Sequence, residues 1–337
     1  MSLATNVFFA IDYFFDPFQN PKKKTEQNKE KVACAHNIVY NEEYPDACLL
    51  DTYVVPRKDG SKYPVIIEIH GGGFVAGDKK YRACLSAWFA VHTGAFVMNL
   101  NYGLAPKYSF PYPVKQLAAV FDWIYANAEE LNLDLDNIAV TGDSAGGYYS
   151  SYLAALSSNE KLQEYFEITP KVNIKAAVLN CGLYDIKKAL ENKNIRLIAD
   201  SICFSFAGIK LKNLEDYEYL DVMSPIDYLT PAFPSSYVIY AKKDIFCKGQ
   251  GEELLKRLEE DGVKTERFAS TSVFDNHTFS LTWRSKAAKK ANMKILTFLN
   301  AEFYGEDVPD FSKYYSDFLA DEGGVKTDTS PEEEKPE

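Results

Sequence analysis

Residues Thr141 to Gly147 read T-G-D-S-A-G-G, and this run limits the fold more than any other in the chain. It holds Gly142-Asp143-Ser144-Ala145-Gly146, the G-x-S-x-G pattern of a nucleophile elbow. The preceding Asn137-Ile138-Ala139-Val140-Thr141 is apolar, is rich in β-formers and predicts a strand. Tyr148 to Leu156 is apolar, lacks Gly and Pro, and predicts a helix. A strand that turns sharply into a helix crowds the backbone around the serine. Only small residues fit on either side, and Gly142 and Gly146 supply them. The short pattern alone arises by chance; the strand and helix around it give it weight.

Upstream, Tyr63 to His70 (Y-P-V-I-I-E-I-H) predicts a β-branched strand that runs straight into Gly71-Gly72-Gly73. Successive glycines after a strand let backbone N–H groups converge on one point, as an oxyanion requires. The alternative is a tight turn with no chemistry, and the serine downstream favours the first reading. A serine nucleophile needs a base, and the base needs an acid to orient it. The chain has four histidines. His70 opens the glycine loop, where its ring props the loop. His36 falls in an early strand and His92 at a helix end, and both precede the serine. His277, in F-D-N-H-T-F-S-L, alone follows Ser144, as the order Ser…Asp/Glu…His requires. For the acid, Asp244 lies just past the predicted strand Ser236 to Ala241, where a parallel sheet places functional groups. Asp185 follows the earlier strand Ala176 to Asn180 in the same manner and is the rival. Asp275 is too close in sequence to reach around the His277 ring.

Three runs carry a resemblance: H-G-G-G-F (His70 to Phe74), N-Y-G-L-A-P (Asn101 to Pro106) followed by Phe110-Pro111, and G-D-S-A-G-G (Gly142 to Gly147). With Ser224-Pro225 and the loops at Asp244 and His277, they resemble the hormone-sensitive-lipase-like branch of the α/β-hydrolase carboxylesterases. The similarity spans roughly residues 50 to 300, in order. It implies an α/β-hydrolase fold, with Ser144 as nucleophile, His277 as base and Asp244 as its partner. It also implies oxyanion donors at the backbone N–H groups of Gly71, Gly72 and Ala145. The chain departs from the family at Asn101, Gly103 and Lys107, where D-Y-R-L-A-P-E is usual, and at Ile245, where Pro or a small residue is common. Acetyl- and feruloyl-esterases and kynurenine formamidases share much of the pattern.

Strand and helix signals alternate from about residue 63 onward, so the expected architecture is α/β. Such alternation gives a mostly parallel sheet covered by helices on both faces, expected here as an eight-stranded α/β-hydrolase sheet with a helical cap. The expected organisation is an N-terminal amphipathic helix and linker (1–30), one catalytic domain (31–320) and a disordered acidic tail (321–337). The helix spans residues 5–18, with Val7, Phe8, Ile11, Phe14, Phe15 and Phe18 at helical spacing, and Pro21 to Lys31 reads as a basic linker. The βα rhythm breaks between Tyr184 and Pro225, so a cap insertion is expected near 184–225, with Ile195 to Gly208 as its apolar part. Phe74, Tyr148, Tyr149, Phe204 and Phe206 are candidates to line an acyl or aryl pocket, although most aromatics in such a fold are core.

Net charge is −11, and the tail contributes −5 of it, so the body lacks the basic footprint of a nucleic-acid binder. The six cysteines show no metal spacing and read as free thiols in a reducing compartment, and a cytoplasmic enzyme is expected. No cofactor and no metal are expected. The expected partner is a small-molecule ester, with no stable membrane insertion. The N-terminal helix is expected to roof the pocket; its rivals are an interfacial anchor using Lys22, Lys23 and Lys24, and a homodimer contact. The leading function is serine hydrolysis of carboxylic esters of short or medium acyl chains through an acyl-enzyme. Acetyl-sugar esterase and formamidase or peptidase action on the same triad are the alternatives. A non-catalytic ligand receptor on this fold is disfavoured by the presence of His277. Lipase action on droplets is disfavoured by a body composition that gives no sign of a large exposed apolar surface.

Overall fold

A computed structural model describes residues 3–192 and 196–314. Eight strands form one sheet: β1 (Ala33–Val39), β2 (Leu49–Val54), β3 (Tyr63–Ile69), β4 (Phe96–Leu100), β5 (Leu133–Asp143), β6 (Ala176–Asn180), β7 (Ser235–Ala241) and β8 (Thr265–Ser270). Their order is β1-β2-β4-β3-β5-β6-β7-β8. The β1–β2 and β2–β4 pairs are antiparallel and every later pair is parallel. This is the α/β-hydrolase architecture that the sequence led us to expect.

The V-I-I run of β3 is unbroken because the strand is buried on both faces. Val65, Ile67 and Ile69 pack with Leu117 and Phe121 of α4 (Tyr112–Asn127) and Leu153 and Leu156 of α5 (Ala145–Ser158). Ile66 points the other way, among Trp88 and Phe89 of α3 (Ala83–Thr93) and Ile295 and Leu299 of the long helix Lys286–Tyr304. Each such side chain contributes about 1.5–3 kcal/mol relative to exposure. Two-sided burial of the central strands therefore fixes the sheet on which the C-terminal loops stand.

Several expectations need correction. The segment read as a linker is a helix, α2 (Lys22–Lys29). Its K-K-K-T-E-Q-N-K run consists mostly of good helix formers, and Pro21 before it fits a helix start. Lys24 lies 3.7 Å over the Trp283 ring and 5.6 Å from that of Trp88, so it is committed to the protein rather than to a lipid headgroup. The N-terminal helix itself, α1 (Leu3–Gln19), is present. Its buried side carries Thr5, Phe8 and Gln19, whereas Phe14 and Phe15 stand 67% and 43% exposed. Of the six-residue stripe, Phe8 and Ile11 pack on the core and Val7 and Phe18 are half-buried, whereas Phe14 and Phe15 turn outward, because spacing alone does not say how far along the helix the contact runs.

The break in rhythm contains α7 (Ile186–Leu190) and α8 (Arg196–Ala207), and α1 lies against α8. Ile195 and the acidic tail fall outside the described residues. A short helix with no sequence signal above, α6 (Glu160–Phe166), is capped by Asn159, whose side chain accepts from Leu162 N–H at 3.1 Å. The surface is also less mild than composition implied: Phe9, Tyr13, Phe14 and Phe15 of α1 are exposed, as are Phe204 and Ile245. Composition averages over the whole chain and does not register such local gathering. Among the described residues no helix is long and apolar enough to cross a membrane.

Helix α5 approaches β3 so closely that a Cβ at Gly146 would overlap the Ile69 carbonyl oxygen and lie 2.7 Å from His70 backbone atoms. Gly146→Ala is expected to destabilise the fold by about 1–3 kcal/mol or more through overpacking, read as a lower urea midpoint. An unchanged midpoint would show that the contact relaxes at no cost.

Candidate active site

The loops after β3, β5, β7 and β8 all open at the C-terminal edge of the parallel strands, where such sheets place their reacting groups. Ser144 stands between β5 and α5 with φ 54° and ψ −118°, a strained conformation for a residue with a side chain. Its N–H donates to the Asn180 carbonyl at 3.0 Å, which pins the turn to the end of β6. His277 follows β8. Asn276 Oδ1 accepts from the N–H of His277 at 2.7 Å and from that of Ile245 at 3.0 Å, so one side chain ties this loop to the loop after β7.

These loops bring three side chains into line. His277 Nε2 lies 2.8 Å from Ser144 Oγ, and His277 Nδ1 lies 2.8 Å from Asp244 Oδ2 and 3.1 Å from Oδ1. Asp244 Oδ1 also accepts the N–H groups of Phe246 and Cys247, each at 2.8 Å. Burial alone would raise the Asp244 pKa, but His277 and the two amides outweigh it and hold the carboxyl below its usual range. An ionised Asp244 keeps the proton on Nδ1 and leaves Nε2 free to accept from the serine. The rival acid Asp185 is occupied elsewhere: it caps α7, accepting from Lys188 N–H at 2.9 Å. Asp275 accepts from Ser270 Oγ at 2.6 Å.

The glycine run lies opposite. His70 Nδ1 meets the Gly71 carbonyl at 2.7 Å and its ring stacks on Tyr102 at 4.6 Å, the loop-propping place expected for it. Gly73, rather than the expected Gly71 or Gly72, lines the cleft together with Ser144. Ala145, the other expected donor, opens α5 directly after the serine.

The cleft is walled by Phe8, Phe74, Ile186, Ile202, Phe206 and Phe246 among other apolar residues. Phe74 and Phe206 therefore stand where expected, 4.7 Å apart between ring centres. Tyr148 and Phe204 do not. Tyr148 is fully buried behind Phe74, with its hydroxyl donating to the Met223 carbonyl at 2.9 Å. Phe204 is 47% exposed. Ile202 and Phe206, four residues apart on α8, face inward, so the residue between them faces out. Phe8 and Phe246 were not singled out as lining residues. The ring of Phe8 lies on Gly73, where any Cβ would overlap it, and Phe246 packs 5.1 Å from the His277 ring. No local signal distinguishes either from an ordinary core aromatic.

Cys181, Asp244 and His277 offer ligand atoms within 4.8 Å of one another, a grouping that the cysteine spacing did not suggest. The nitrogen and carboxylate atoms in it are already committed to the hydrogen bonds above.

Burial holds His70 neutral in the fold, with its pKa pulled from 6.5 to about 4. Between those values the unfolded chain binds the extra proton, so stability is full above about pH 6.5 and falls as the pH drops toward 4. His70→Asn is expected to show a shallower fall in Tm over that window than the unsubstituted chain. Parallel curves would remove His70 from the acid response.

Comparisons with known proteins bear on the family and the fold. A family model, BD-FAE, matches residues 50–258. A putative alpha/beta hydrolase of Acanthamoeba polyphaga mimivirus is 24% identical over 72% of this chain and 68% of its own length. A probable carboxylic ester hydrolase, LipM, of Mycobacterium tuberculosis is 27% identical over 74% of this chain, and the match spans 57% of LipM. Among solved structures, esterase B from Lactobacillus rhamnosis superposes with a TM-score of 0.71 at 21% identity, covering 94% of this chain and 99% of that one, a likeness of fold. The family match takes in the glycine loop, the serine turn and Asp244, well over half of the chain. The chain belongs to the BD-FAE family and is an α/β-hydrolase of the carboxylesterase kind.

Proposed function

We propose that this protein hydrolyses carboxylic esters of short or medium acyl chains through an acyl-enzyme on Ser144. The observation that carries the reading is the unbroken relay from Ser144 Oγ to His277 Nε2 and from His277 Nδ1 to Asp244, beside an apolar cleft. Ser144 Oγ attacks the ester carbonyl while His277 takes its proton. The backbone amides of the glycine loop and Ala145 stabilise the oxyanion; Gly73 is the glycine that lines the cleft with the serine. His277 protonates the departing alcohol, then activates the water that releases the acid. Asp244 fixes the ring and its tautomer throughout.

The cleft favours an apolar acyl group. Apart from Ser144 and the Cys247 thiol, every side chain lining it is apolar. A sugar ring or the charged amino-acid head of formylkynurenine would lose its hydrogen bonds to water there without replacement. This ranks acetyl-sugar esterase and formamidase action below ester hydrolysis. The name of LipM as a probable carboxylic ester hydrolase supports the same class. We read α1 as the roof of the acyl pocket, since Phe8 lies between the glycine loop and Phe246.

Three measurements test this. Ser144→Ala should lower the turnover of p-nitrophenyl butyrate by about 10⁴-fold or more with the fold intact; near-normal turnover would sink the mechanism. Asp244→Asn should lower kcat by about 10²–10⁴-fold, whereas Asp185→Asn should change mainly stability, and the reverse ranking would reassign the acid. Deletion of residues 1–20 should alter acyl-chain preference or raise KM for longer esters, while Ser144 still reacts with a small organophosphate. Unchanged kinetics across chain lengths, with loss of liposome binding, would make α1 an interfacial anchor instead.

A further inference from the structure

The residue before the serine is gripped by a buried fork. Arg82, at the end of a 3₁₀ turn (Lys79–Arg82), donates from Nε to Asp143 Oδ1 at 2.6 Å and from Nη2 to Oδ2 at 2.7 Å. Arg82 is 4% exposed and Asp143 3%. The remaining nitrogen, Nη1, donates to Gln19 Oε1 at 2.8 Å. Gln19 is the last residue of α1 and is itself buried. The chain around it is held in turn: Trp283 Nε1 donates to the Gln19 carbonyl at 3.3 Å, and Asn20 Oδ1 accepts the Cys84 N–H at 3.0 Å.

The grip reaches the glycine loop as well. A Cβ on Gly71 would stand 2.5 Å from Asp143 Oδ2 and 3.1 Å from Ser144 Cβ, so the loop rests directly on the Asp143 carboxylate and the serine. Glu68 lies in the same buried region, its Oε2 without a hydrogen-bond partner among the described residues. Burial first, and then the charge of Asp143, push its pKa up to about 8. The Arg82 guanidinium pulls the other way without outweighing them, and its two-point fork goes to Asp143.

We propose that Arg82 is a positioning residue for ester hydrolysis, and that Gln19 makes its action depend on the docking of α1. The proposal rests on the reading of Ser144 as nucleophile. Arg82 touches neither substrate nor reacting atoms. It fixes Asp143, and through Asp143 both the strained serine turn and the glycine loop facing it. A two-point fork resists rotation of the carboxylate, which a single ammonium does not. Attack geometry is sensitive to shifts well under 1 Å, so loosening the grip costs rate before it costs the fold. Gln19 shares Nη1 with the Tyr81 carbonyl, which accepts at 3.2 Å, and is the contact that α1 makes with the guanidinium. The helix whose Phe8 roofs the cleft thus also braces, from its other end, the floor on which Ser144 stands.

The test compares the unsubstituted chain with Arg82→Lys and Gln19→Met on p-nitrophenyl butyrate, with Tm measured alongside. Arg82→Lys should lower kcat by about 10-fold or more and Gln19→Met by about 3-fold, with KM changed less than about 2-fold in each. Inactivation of Ser144 by a small organophosphate should slow in parallel. Gln19→Met removes one acceptor at similar volume and keeps the test open if Arg82→Lys folds poorly. In the Arg82→Lys, Gln19→Met double variant the second change should add little, because both act through one grip. Unchanged kcat with only a lower Tm, or fully multiplicative losses, would overturn the proposal. If the unsubstituted chain itself hydrolyses no ester, it is the proposed function that fails.

Discussion

Ser144 is held at a backbone conformation that a side-chain-bearing residue adopts only under constraint, and most of the site depends on how that constraint is met. From below, β5 and α5 meet at an angle that leaves no room for a Cβ at Gly146 against β3. From the side, the Asn180 carbonyl takes the serine N–H. From behind, Arg82 grips Asp143 in a buried fork. None of these contacts touches the hydroxyl. Together they leave the serine with little choice of direction, and Oγ points at His277.

The second half of the site is assembled by loops instead of by strain. Asp244 and His277 come from separate turns, after β7 and β8, and Asn276 bridges those turns through two backbone N–H groups. Asp244 is anchored by two amides of its own loop before it reaches the imidazole. Such convergence of independent loops at the C-terminal edge is a property of the parallel sheet: neighbouring strands end side by side, so residues far apart in sequence leave the sheet at the same level.

Helix α1 links the two halves. Its early turns place Phe8 over Gly73 and beside Phe246, and its last residue reaches Arg82. Its outer aromatic residues remain exposed. A helix with those attachments touches both a wall of the apolar cleft and the arginine that grips the serine turn, although it contributes no group to the relay.

Much of this was legible in the chain. The G-D-S-A-G-G run, its flanking strand and helix, and the β-branched run before the glycine loop predicted the elements around Ser144, because local sterics and hydrophobic periodicity act over a few residues. The chain order of Ser144, Asp244 and His277 pointed to the relay for a different reason, since the order in which the loops follow the strands is set by the fold. The choice between Asp244 and Asp185 could not be closed by spacing: both follow strands, and only the folded chain makes one a helix cap and the other the partner of His277. Phe204 and Tyr148 were misplaced, and Phe8 and Phe246 overlooked, because which side of a helix or loop faces a cavity depends on what packs across from it. Arg82 left no signal at all, lying in the charged run K-K-Y-R that reads as surface. The sequence by itself determined the elements and the chemistry available to them. The tertiary structure decided which charge is buried against which and which aromatic ring lines the cleft, because those outcomes depend on contacts between segments that share no local pattern.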